Sequence, residues 1–331
     1  MKQTIEWTFE PRNPVIRPRQ LHGEWDLNGT AAGHVLDLGD CYRMYYWGSS
    51  RQGNVILMAE SPKDRPNDWR PRGGVLLGRQ LETEHNHHGP GFPFVFPVAG
   101  NRWHMVYCGW GKPRPDGVIP NTTNLAVSDD AGLTWRYQPP VPMIPLDQAY
   151  DQLVTGSVWV VRVGDEFRMY YTALGEYIHA PPGVKTGHGE WIPRIGIGYA
   201  TSHDGLTWQK PFRDHLIAPR GFDADPYEYI NSKPCVIREE DGWRMFISTF
   251  GHAYRVRSLV SADGLHWERV PSGPAGDLGV GAPGAFDDHQ RSYASVIKEG
   301  DRYHLWYTGN RFGATGMGYA CGRCVEVTES F

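Results

Sequence analysis

The sequence predicts an all-β protein, and three observations carry that prediction. The segment Arg43-Met44-Tyr45-Tyr46-Trp47-Gly48 returns four times in variant form after a short apolar run and a Gly/Asp turn, which is typical of a β-hairpin. A second repeated pattern closes most of these units, and the N-terminal segment matches that closing strand. Successive copies lie 60 to 76 residues apart, centred on Met44, Met105, Met169, Met245 and Leu305. Hairpin repeats of this length predict a five-bladed β-propeller, in which four-stranded sheets surround an axis.

The second pattern is Ser-x-Asp-Gly-Leu-x-Trp. It occurs at 202–208 and 261–267, with a longer version at 128–135. Ser and Asp side chains hydrogen-bond to the backbone of a turn, and Gly supplies the positive φ that such a turn requires. The Trp then begins a fourth strand. Each unit is therefore predicted to contain four strands, A to D, with short turns at A–B and C–D.

The N-terminal segment is predicted to complete the last unit. Trp7-Thr8-Phe9-Glu10 has the character of a fourth strand, whereas the last unit ends after its third strand, near Tyr319. Pairing the two closes the ring and leaves no open sheet edge. We therefore expect one domain over residues 1–331, with blades at about 24–80, 81–145, 146–220, 221–275, and 276–331 together with 1–18.

The composition limits the classes of function. The 331 residues carry a net charge of −4, which argues against nucleic-acid and anionic-membrane partners because both require a basic face. The sequence has no run of eighteen apolar residues and no signal-peptide pattern at its start, so we expect a cytoplasmic protein. The five cysteines form no disulfide framework, and Cys321 and Cys324 are interpreted as strand-end residues rather than a zinc or redox pair.

Long connections mark one face of the predicted propeller as the functional face. They are the B–C loops at 111–117 and 176–191 and the D–A connections between blades. Because the strands alternate in direction, B–C and D–A connections lie on the same face, and binding residues are concentrated on such loops. The first strand of each blade should line the central channel and begin on this face.

Acidic residues recur where these first strands begin. Carboxylates around one opening repel one another, which raises some of their pKa values. A pair with divergent pKa values is what acid–base cleavage of a glycosidic bond requires. The structural alternative is that these residues cap strands or turns. Counting back seventeen or eighteen residues from the Met44-type position of each unit gives Asp26, His87 or His88, Asp151, Glu228 and Asp288.

The whole chain resembles the five-bladed propeller glycosidases of glycoside hydrolase families 43 and 32. The Tyr-Arg-Met-Tyr-Tyr strands, the Ser-x-Asp-Gly-Leu-x-Trp turns and Asp26-Leu27-Asn28-Gly29 carry the resemblance. The last is similar to the Asp-Pro-Asn-Gly of the fructosidases, with Leu27 in place of Pro. The resemblance implies that Asp26 is the base or nucleophile, that Asp151 orients substrate or tunes a pKa, and that Glu228 is the general acid. If Glu228 is not the acid, Asp288 or a histidine is expected to take that role. Related phosphorolytic enzymes share the fold, so phosphate as the nucleophile stays open.

Other residues on this face are candidates for holding a substrate. Arg51 and Arg311 suit a carboxylate or phosphate group, and aromatic rings such as Trp110 suit stacking on a sugar. The histidines either hydrogen-bond a sugar or join the carboxylates in holding a divalent metal in the channel. No cofactor is expected to be required. The predicted substrate-binding set is Trp25, Asn28, Arg51, His87, His88, Trp110, Glu176, His252 and Arg311.

The first functional hypothesis is a glycoside hydrolase, exo-acting on a small oligosaccharide or glycoside. It predicts that Glu228→Gln keeps the fold but slows cleavage, typically on the order of 10²–10⁴-fold. The loss should be smaller for a leaving group that needs no proton, such as nitrophenolate. The second hypothesis, from a different class, is a sugar-binding propeller without catalysis. A phosphorylase, or a metal-dependent lyase or isomerase on the same fold, completes the alternatives.

Overall fold

The computed structural model of the chain describes residues 3–115, 117–272 and 277–326. Nearly all of its regular structure is β-strand, which confirms the predicted all-β class. The helical segments within those ranges are a 3₁₀ turn at Gly23–Asp26 and one helical turn at Asn310–Gly313. None of the described helices is long and apolar enough to cross a membrane.

The strands follow one another along the chain as β1 to β19. Their bounds are Gln3–Phe9, Gly29–Asp37, Cys41–Ser50, Gly53–Pro62, Arg70–Pro71, Gly89–Ala99, Arg102–Trp110, Asn121–Ser128, Arg136–Gln138, Val154–Val163, Glu166–His179, Trp191–Ser202, Ile230–Glu239, Gly242–Phe250, Tyr254–Ser261, Glu268–Arg269, Ser292–Glu299, Arg302–Thr308 and Met317–Glu326.

Hydrogen bonding joins these strands into antiparallel sets. One sheet has the order β2-β3-β4-β5, and another has the order β1-β19-β18-β17. The remaining strands form one larger sheet, in which isolated parallel pairings such as Ile195 with Ile230 link successive sets. In the second sheet the N-terminal strand pairs with β19, with Glu6 opposite Arg323. The predicted pairing of that strand with the last set is therefore confirmed.

The first strand of each set lies at the centre of the molecule. β2 contacts β6, β6 contacts β10, β10 contacts β13, β13 contacts β17, and β17 contacts β2. All of these strands have a β-bulge at the same place, about three residues from the start, where pairing with the next strand shifts register. In three of them the bulge holds a non-glycine residue with positive φ: Phe92 (49°), Lys233 (47°) and Tyr293 (57°). A bulge re-aims the side chains around it.

The two sequence repeats bind each other across neighbouring sets. In the first set, the Tyr45 hydroxyl donates to Gly132 O at 2.9 Å and Arg43 donates to Ala131 O at 2.8 Å, both in the Ser-Asp-Gly turn of the next set. Two sets further on, Tyr170 donates in the same way to Gly264 O at 2.8 Å. Buried hydroxyl and guanidinium donors need acceptors, and the turn supplies its carbonyl groups. This contact explains why both repeats recur together.

Candidate functional site

A cavity of about 520 Å³ opens where the central strands begin. The long connections predicted to form the functional face surround it, because Ile119, Tyr177 and Trp191 are among its lining residues. Aromatic side chains form a large part of its wall. Gly91 permits the close packing there, since a side chain at that position would overlap the ring of Trp110. The aromatic lining residues are Trp47, Phe92, Trp110, Tyr177, His188, Trp191, Tyr254, Tyr293 and Phe312.

The aromatic rings contact one another around the cavity. The ring centroids of Trp47 and Trp110 lie 4.8 Å apart, and those of Phe92 and Tyr293 lie 5.0 Å apart at right angles. Phe312 stacks on Tyr293 with a centroid distance of 6.3 Å. Edge and offset contacts at these distances hold rings in fixed orientations. Phe92 and Tyr293 are bulge residues of the central strands, so the bulges direct these rings into the site.

The buried end of the cavity carries neutral hydrogen-bonding groups. The Ser157 and Thr172 hydroxyls lie 2.8 Å apart, and the Ser232 hydroxyl donates to Ser248 O at 3.3 Å. Ser157, Thr172 and Ser232 all line the cavity and are all buried. Hydroxyl groups in such positions both donate and accept hydrogen bonds, which suits them to the hydroxyls of a polar ligand.

The described lining residues include no carboxylate, ammonium or guanidinium group. One imidazole is present, His188, whose Nδ1 lies 2.9 Å from the Tyr229 hydroxyl. Burial lowers the pKa of His188, so this ring is neutral at pH 7. The cavity is therefore uncharged near neutral pH.

Two of the predicted catalytic carboxylates are fully buried away from the cavity lining. Asp26 Oδ2 accepts hydrogen bonds from the Tyr46 hydroxyl at 3.0 Å and from His22 N at 3.2 Å. Asp151 Oδ2 accepts from the Tyr171 hydroxyl at 2.8 Å and forms an ion pair with Lys210 at 2.6 Å. Both carboxylates therefore bind partners within their own set of strands.

The other two predicted carboxylates also have partners outside the cavity. Glu228 forms buried ion pairs with Arg257 and with Arg269, the second at 3.2 Å. Asp288 accepts hydrogen bonds from Gly284 N and from the Asn310 side chain, both at 2.7 Å. The structure thus does not bring the four carboxylates together in this cavity. Their predicted catalytic roles stay predictions.

Sequence alignment of the units missed Asp287, the exact counterpart of Asp26 and Asp151. Asp287 is buried, accepts from the Tyr307 hydroxyl at 2.8 Å and pairs with Arg291 at 2.6 Å. All three aspartates stand eighteen positions before the Met44-type residue of their set, and each is bound by the tyrosine two positions after it. Counting back eighteen residues from the Met44-type position in every unit would have given Asp287 in place of Asp288. The repeated acidic register therefore marks a repeated Asp–Tyr hydrogen bond.

The predicted substrate-binding residues separate into two groups. Trp110 lines the cavity, as predicted for a ring that stacks on a sugar. The others are not among the lining residues. Trp25 packs on the apolar core of the first set, while Glu176 pairs with Arg194 at 3.0 Å. The remaining members lie on turns and bends and are exposed or half-buried: Asn28, Arg51, His87, His88, His252 and Arg311.

Several aromatic lining residues were not among those predicted from the sequence. They include Trp47, Phe92, Tyr293 and Phe312. Trp47 even belongs to the repeated segment that defines the fold. The bulges and the positive φ of Phe312 turn such rings toward the opening. Within the described ranges, no group of three or more His, Cys, Asp or Glu side chains is arranged to hold a metal ion.

Comparison with known proteins places the chain in a family. No protein-family model matches it. It is 30% identical over 227 residues to "Uncharacterized protein MT1551" of Mycobacterium tuberculosis (strain CDC 1551 / Oshkosh), covering 67% of this chain and 68% of the relative. Over the same shares, it is 29% identical to "Uncharacterized protein Rv1502" of Mycobacterium tuberculosis (strain ATCC 25618 / H37Rv).

Solved structures with the same fold are glycoside hydrolases and related proteins. A thermostable family-43 glycoside hydrolase matches with a TM-score of 0.63 at 17% identity, covering 95% of this chain and 94% of that one. A protein from a study of the GH130 family of mannoside phosphorylases matches with a TM-score of 0.65 at 13% identity, covering 96% and 94%. The protein BT0996, solved as an RGII complex, matches with a TM-score of 0.68 at 19% identity, covering 88% and 87%.

The fold is therefore a propeller-like fold of the glycoside hydrolase type, as the resemblance in the sequence implied. Its candidate site is an uncharged, aromatic cavity at the start of the central strands. Within that class, the chain belongs to the same family as MT1551 of Mycobacterium tuberculosis.

Proposed function

We propose that this protein binds a neutral carbohydrate in the aromatic cavity and does not cleave it there. The observation that carries the proposal is the composition of the lining. Aromatic rings such as Trp47 and Trp110 offer faces for the C–H surfaces of a sugar, and the hydroxyls of Ser157, Thr172 and Ser232 offer hydrogen bonds to its hydroxyls. A volume of about 520 Å³ lies in the usual range for small-ligand sites.

The absence of carboxylates among the described lining residues favours binding over hydrolysis. Glycoside hydrolysis generally needs two carboxyl groups across the scissile bond, about 5 Å apart in retaining enzymes and roughly 6.5–9.5 Å apart in inverting ones. Asp26, Asp151 and Glu228 are instead buried with tyrosine, lysine or arginine partners. Releasing any of them toward a ligand would leave buried partners unsatisfied.

We also propose that the strand sets are the five blades of one closed ring spanning the whole chain. The cyclic contacts among β2, β6, β10, β13 and β17 support this architecture, and so does the pairing of β1 with β19. Deleting residues 1–18 should then expose the edge of β19 and destabilise the whole chain in one cooperative transition. A deletion variant that melts like the full chain would contradict ring closure by this strand.

Glycoside hydrolysis or phosphorolysis is the second candidate function. The observation in its favour is that the solved structures with this fold are described as glycoside hydrolases or mannoside phosphorylases. Glu176 directly precedes a cavity-lining residue, Tyr177, and its carboxylate is exposed. In this alternative a small oligosaccharide is a substrate rather than a ligand.

Two measurements on the full chain separate the candidates. A panel of neutral mono- and disaccharides is tested for binding by ligand-observed NMR, with Trp110→Ala as the site variant and Trp208→Ala, in a turn outside the cavity lining, as the control. The proposal expects binding that Trp110→Ala removes and Trp208→Ala retains. The same sugars as nitrophenyl glycosides, with and without phosphate, test for turnover. Turnover that Trp110→Ala abolishes would replace the binding proposal with the enzymatic one.

A further inference from the structure

We propose that the natural ligand is an amphiphilic glycoside, a neutral sugar that carries an apolar, uncharged aglycone. The sugar lies at the buried end of the cavity and the aglycone lies across its rim. This inference rests on the proposed function, because it names the class of ligand for the same site. Two observations lead to it. The rim of the cavity is exposed and apolar, whereas its inner end is buried and polar.

The rim of the cavity is apolar and exposed to solvent. Four of its lining residues are among the large hydrophobic side chains most exposed in the described part of the chain: Ile119 (42%), Tyr177 (41%), Trp191 (61%) and Phe312 (49%). They come from three separate segments of the chain, since Tyr177 and Trp191 share the β11–β12 hairpin, so no single loop explains their exposure. Exposed apolar side chains grouped at the mouth of a cavity mark a binding surface.

The buried end of the cavity is polar. Ser157, Thr172 and Ser232 are between 5% and 8% exposed, and their hydroxyls face one another or backbone carbonyls. Neighbouring lining residues such as Ile230 are buried and apolar, so they offer a ligand no side-chain hydrogen bond. A ligand at this end therefore meets these hydroxyls first. A ligand that fits both ends therefore has its polar part inside and its apolar part outside.

The charge of the site excludes ionic ligands. A carboxylate or phosphate on the sugar would enter a site whose described lining offers no cation, and an ammonium group would find no carboxylate. Moving an unpaired charge out of water is strongly unfavourable. The head group is thus a neutral sugar, and an aglycone that rests on four apolar side chains is alkyl or aryl rather than ionic.

The hairpin that carries Trp191 provides the largest rim surface. Trp191 lies opposite His179 in the β11–β12 pairing, and their ring centroids are 4.8 Å apart. Tyr177 lies opposite Pro193 in the same pairing. Because both aromatic residues belong to paired strands, their positions are fixed by backbone hydrogen bonds. An alkyl chain leaving the cavity can lie along them without a conformational change.

The test uses matched pairs of methyl and n-octyl glycosides of glucose, galactose and mannose, measured by isothermal titration calorimetry below the micellar concentration. For a sugar that binds, we expect the octyl glycoside to bind on the order of tenfold or more tightly than the methyl glycoside. Trp191→Ala should reduce that ratio to about threefold or less. Trp191→Phe should keep most of the ratio.

A matched control removes an exposed apolar residue elsewhere. Leu133, 43% exposed in a C–D turn and absent from the cavity lining, is replaced by Ala, and the octyl-to-methyl ratio should not change. Equal affinities of methyl and octyl glycosides would overturn this inference while leaving the sugar-binding proposal standing. The absence of binding by every sugar would overturn both.

Two further outcomes would also overturn the inference. If n-octanol binds as tightly as octyl glycosides, the buried end does not recognise a sugar. If the octyl effect is absent but the chain binds phosphatidylcholine vesicles and Trp191→Ala abolishes that binding, the rim docks on a membrane rather than on an aglycone.

Discussion

The cavity and the predicted carboxylates show opposite uses of polar side chains. The described lining of the cavity holds no formal charge near neutral pH, and its polar groups include hydroxyls, the amides of Asn54 and Asn121, and the neutral imidazole of His188. Asp26, Asp151 and Glu228 are buried, and tyrosine, lysine or arginine partners bind them. A buried charge is stable only when it is paired and hydrogen-bonded, whereas a ligand site needs groups that still have bonding capacity. The recurrence of acidic residues at equivalent positions of the repeat therefore identified carboxylates that are paired in the fold. It did not identify the cavity proposed to bind a ligand.

One strand contains both kinds of position. On β11, Tyr171 donates to Asp151, while Tyr177, six residues further on, lies 41% exposed at the rim. A register shift between Leu174 and Tyr177 separates the two segments. The same residue type thus serves the core before the irregularity and the cavity after it. Variants at matched positions test each half of this comparison.

The largest expected effect is the loss of the Glu228 charge. Glu228→Gln leaves Arg257 and Arg269 without their buried carboxylate and should lower the free energy of unfolding by about 3–5 kcal/mol. The matched control is Glu176→Gln, which breaks an exposed pair with Arg194 and should cost about 0–1 kcal/mol. Urea unfolding of the three proteins measures both values.

This result also bears on the predicted general acid. A general acid would lose turnover on poor leaving groups without losing stability, and nitrophenyl substrates would be spared. A folded, equally stable Glu228→Gln protein with that pattern would contradict the structural role assigned here.

The second prediction concerns Lys233, a buried charge with no acceptor among the described residues. Its Nζ lies 5.5 Å from the centre of the Trp159 ring, and burial lowers its pKa to about 8. Lys233→Met should therefore stabilise the protein by about 3 kcal/mol at pH 7. Lys298→Met is the control, because Lys298 also lies near a ring, that of Tyr303, but is partly exposed.

The stabilisation expected from Lys233→Met should decrease as the pH rises. The folded state binds fewer protons than the unfolded state between about pH 8 and pH 10.5, so the unfavourable effect of Lys233 is complete below pH 8 and fades above it. The stability difference between Lys233→Met and the unmodified protein should shrink over that range. A difference that is constant from pH 7 to pH 10 would show that the amine has a partner.

A smaller effect is expected from the Asp–Tyr pairs. Tyr171→Phe removes a hydroxyl that bonds both Asp151 and Tyr150, and it should lower the free energy of unfolding by about 1–3 kcal/mol. Tyr177→Phe, at the exposed rim of the same strand, should lower it by less than Tyr171→Phe does. Thermal and urea unfolding measure both. Equal losses would mean that the rim position is as structural as the core one.

The smallest expected effect is that of pH on ligand binding. With His188 as the lining imidazole and its pKa lowered by burial, the cavity keeps the same charge from about pH 7 to pH 9. The dissociation constant of a bound neutral glycoside should be constant across that range in calorimetric titrations. A bell-shaped profile would indicate that carboxylates or other titrating groups act on the ligand.

Much of the fold was predictable because it depends on local patterns. The alternation of apolar runs, Gly/Asp turns and aromatic strands indicated hairpins, and the surplus strand near Trp7 indicated its partner in the last set. The acidic register was also real, since Asp26, Asp151 and Asp287 occupy equivalent positions. Its chemical meaning was not predictable, because the tyrosine partner lies on another strand.

By itself, the sequence determined the strand class, the repeat, the pairing of the N-terminal strand and the face that carries the long connections. These features follow from residue spacing and turn chemistry, which act over a few residues. Only the tertiary structure decided which polar groups are paired and which face a ligand. The bulges at Phe92, Lys233 and Tyr293 rotate side chains locally, and neighbouring sets then bury or expose them. Burial depends on atoms from distant parts of the chain, so spacing alone does not reveal it.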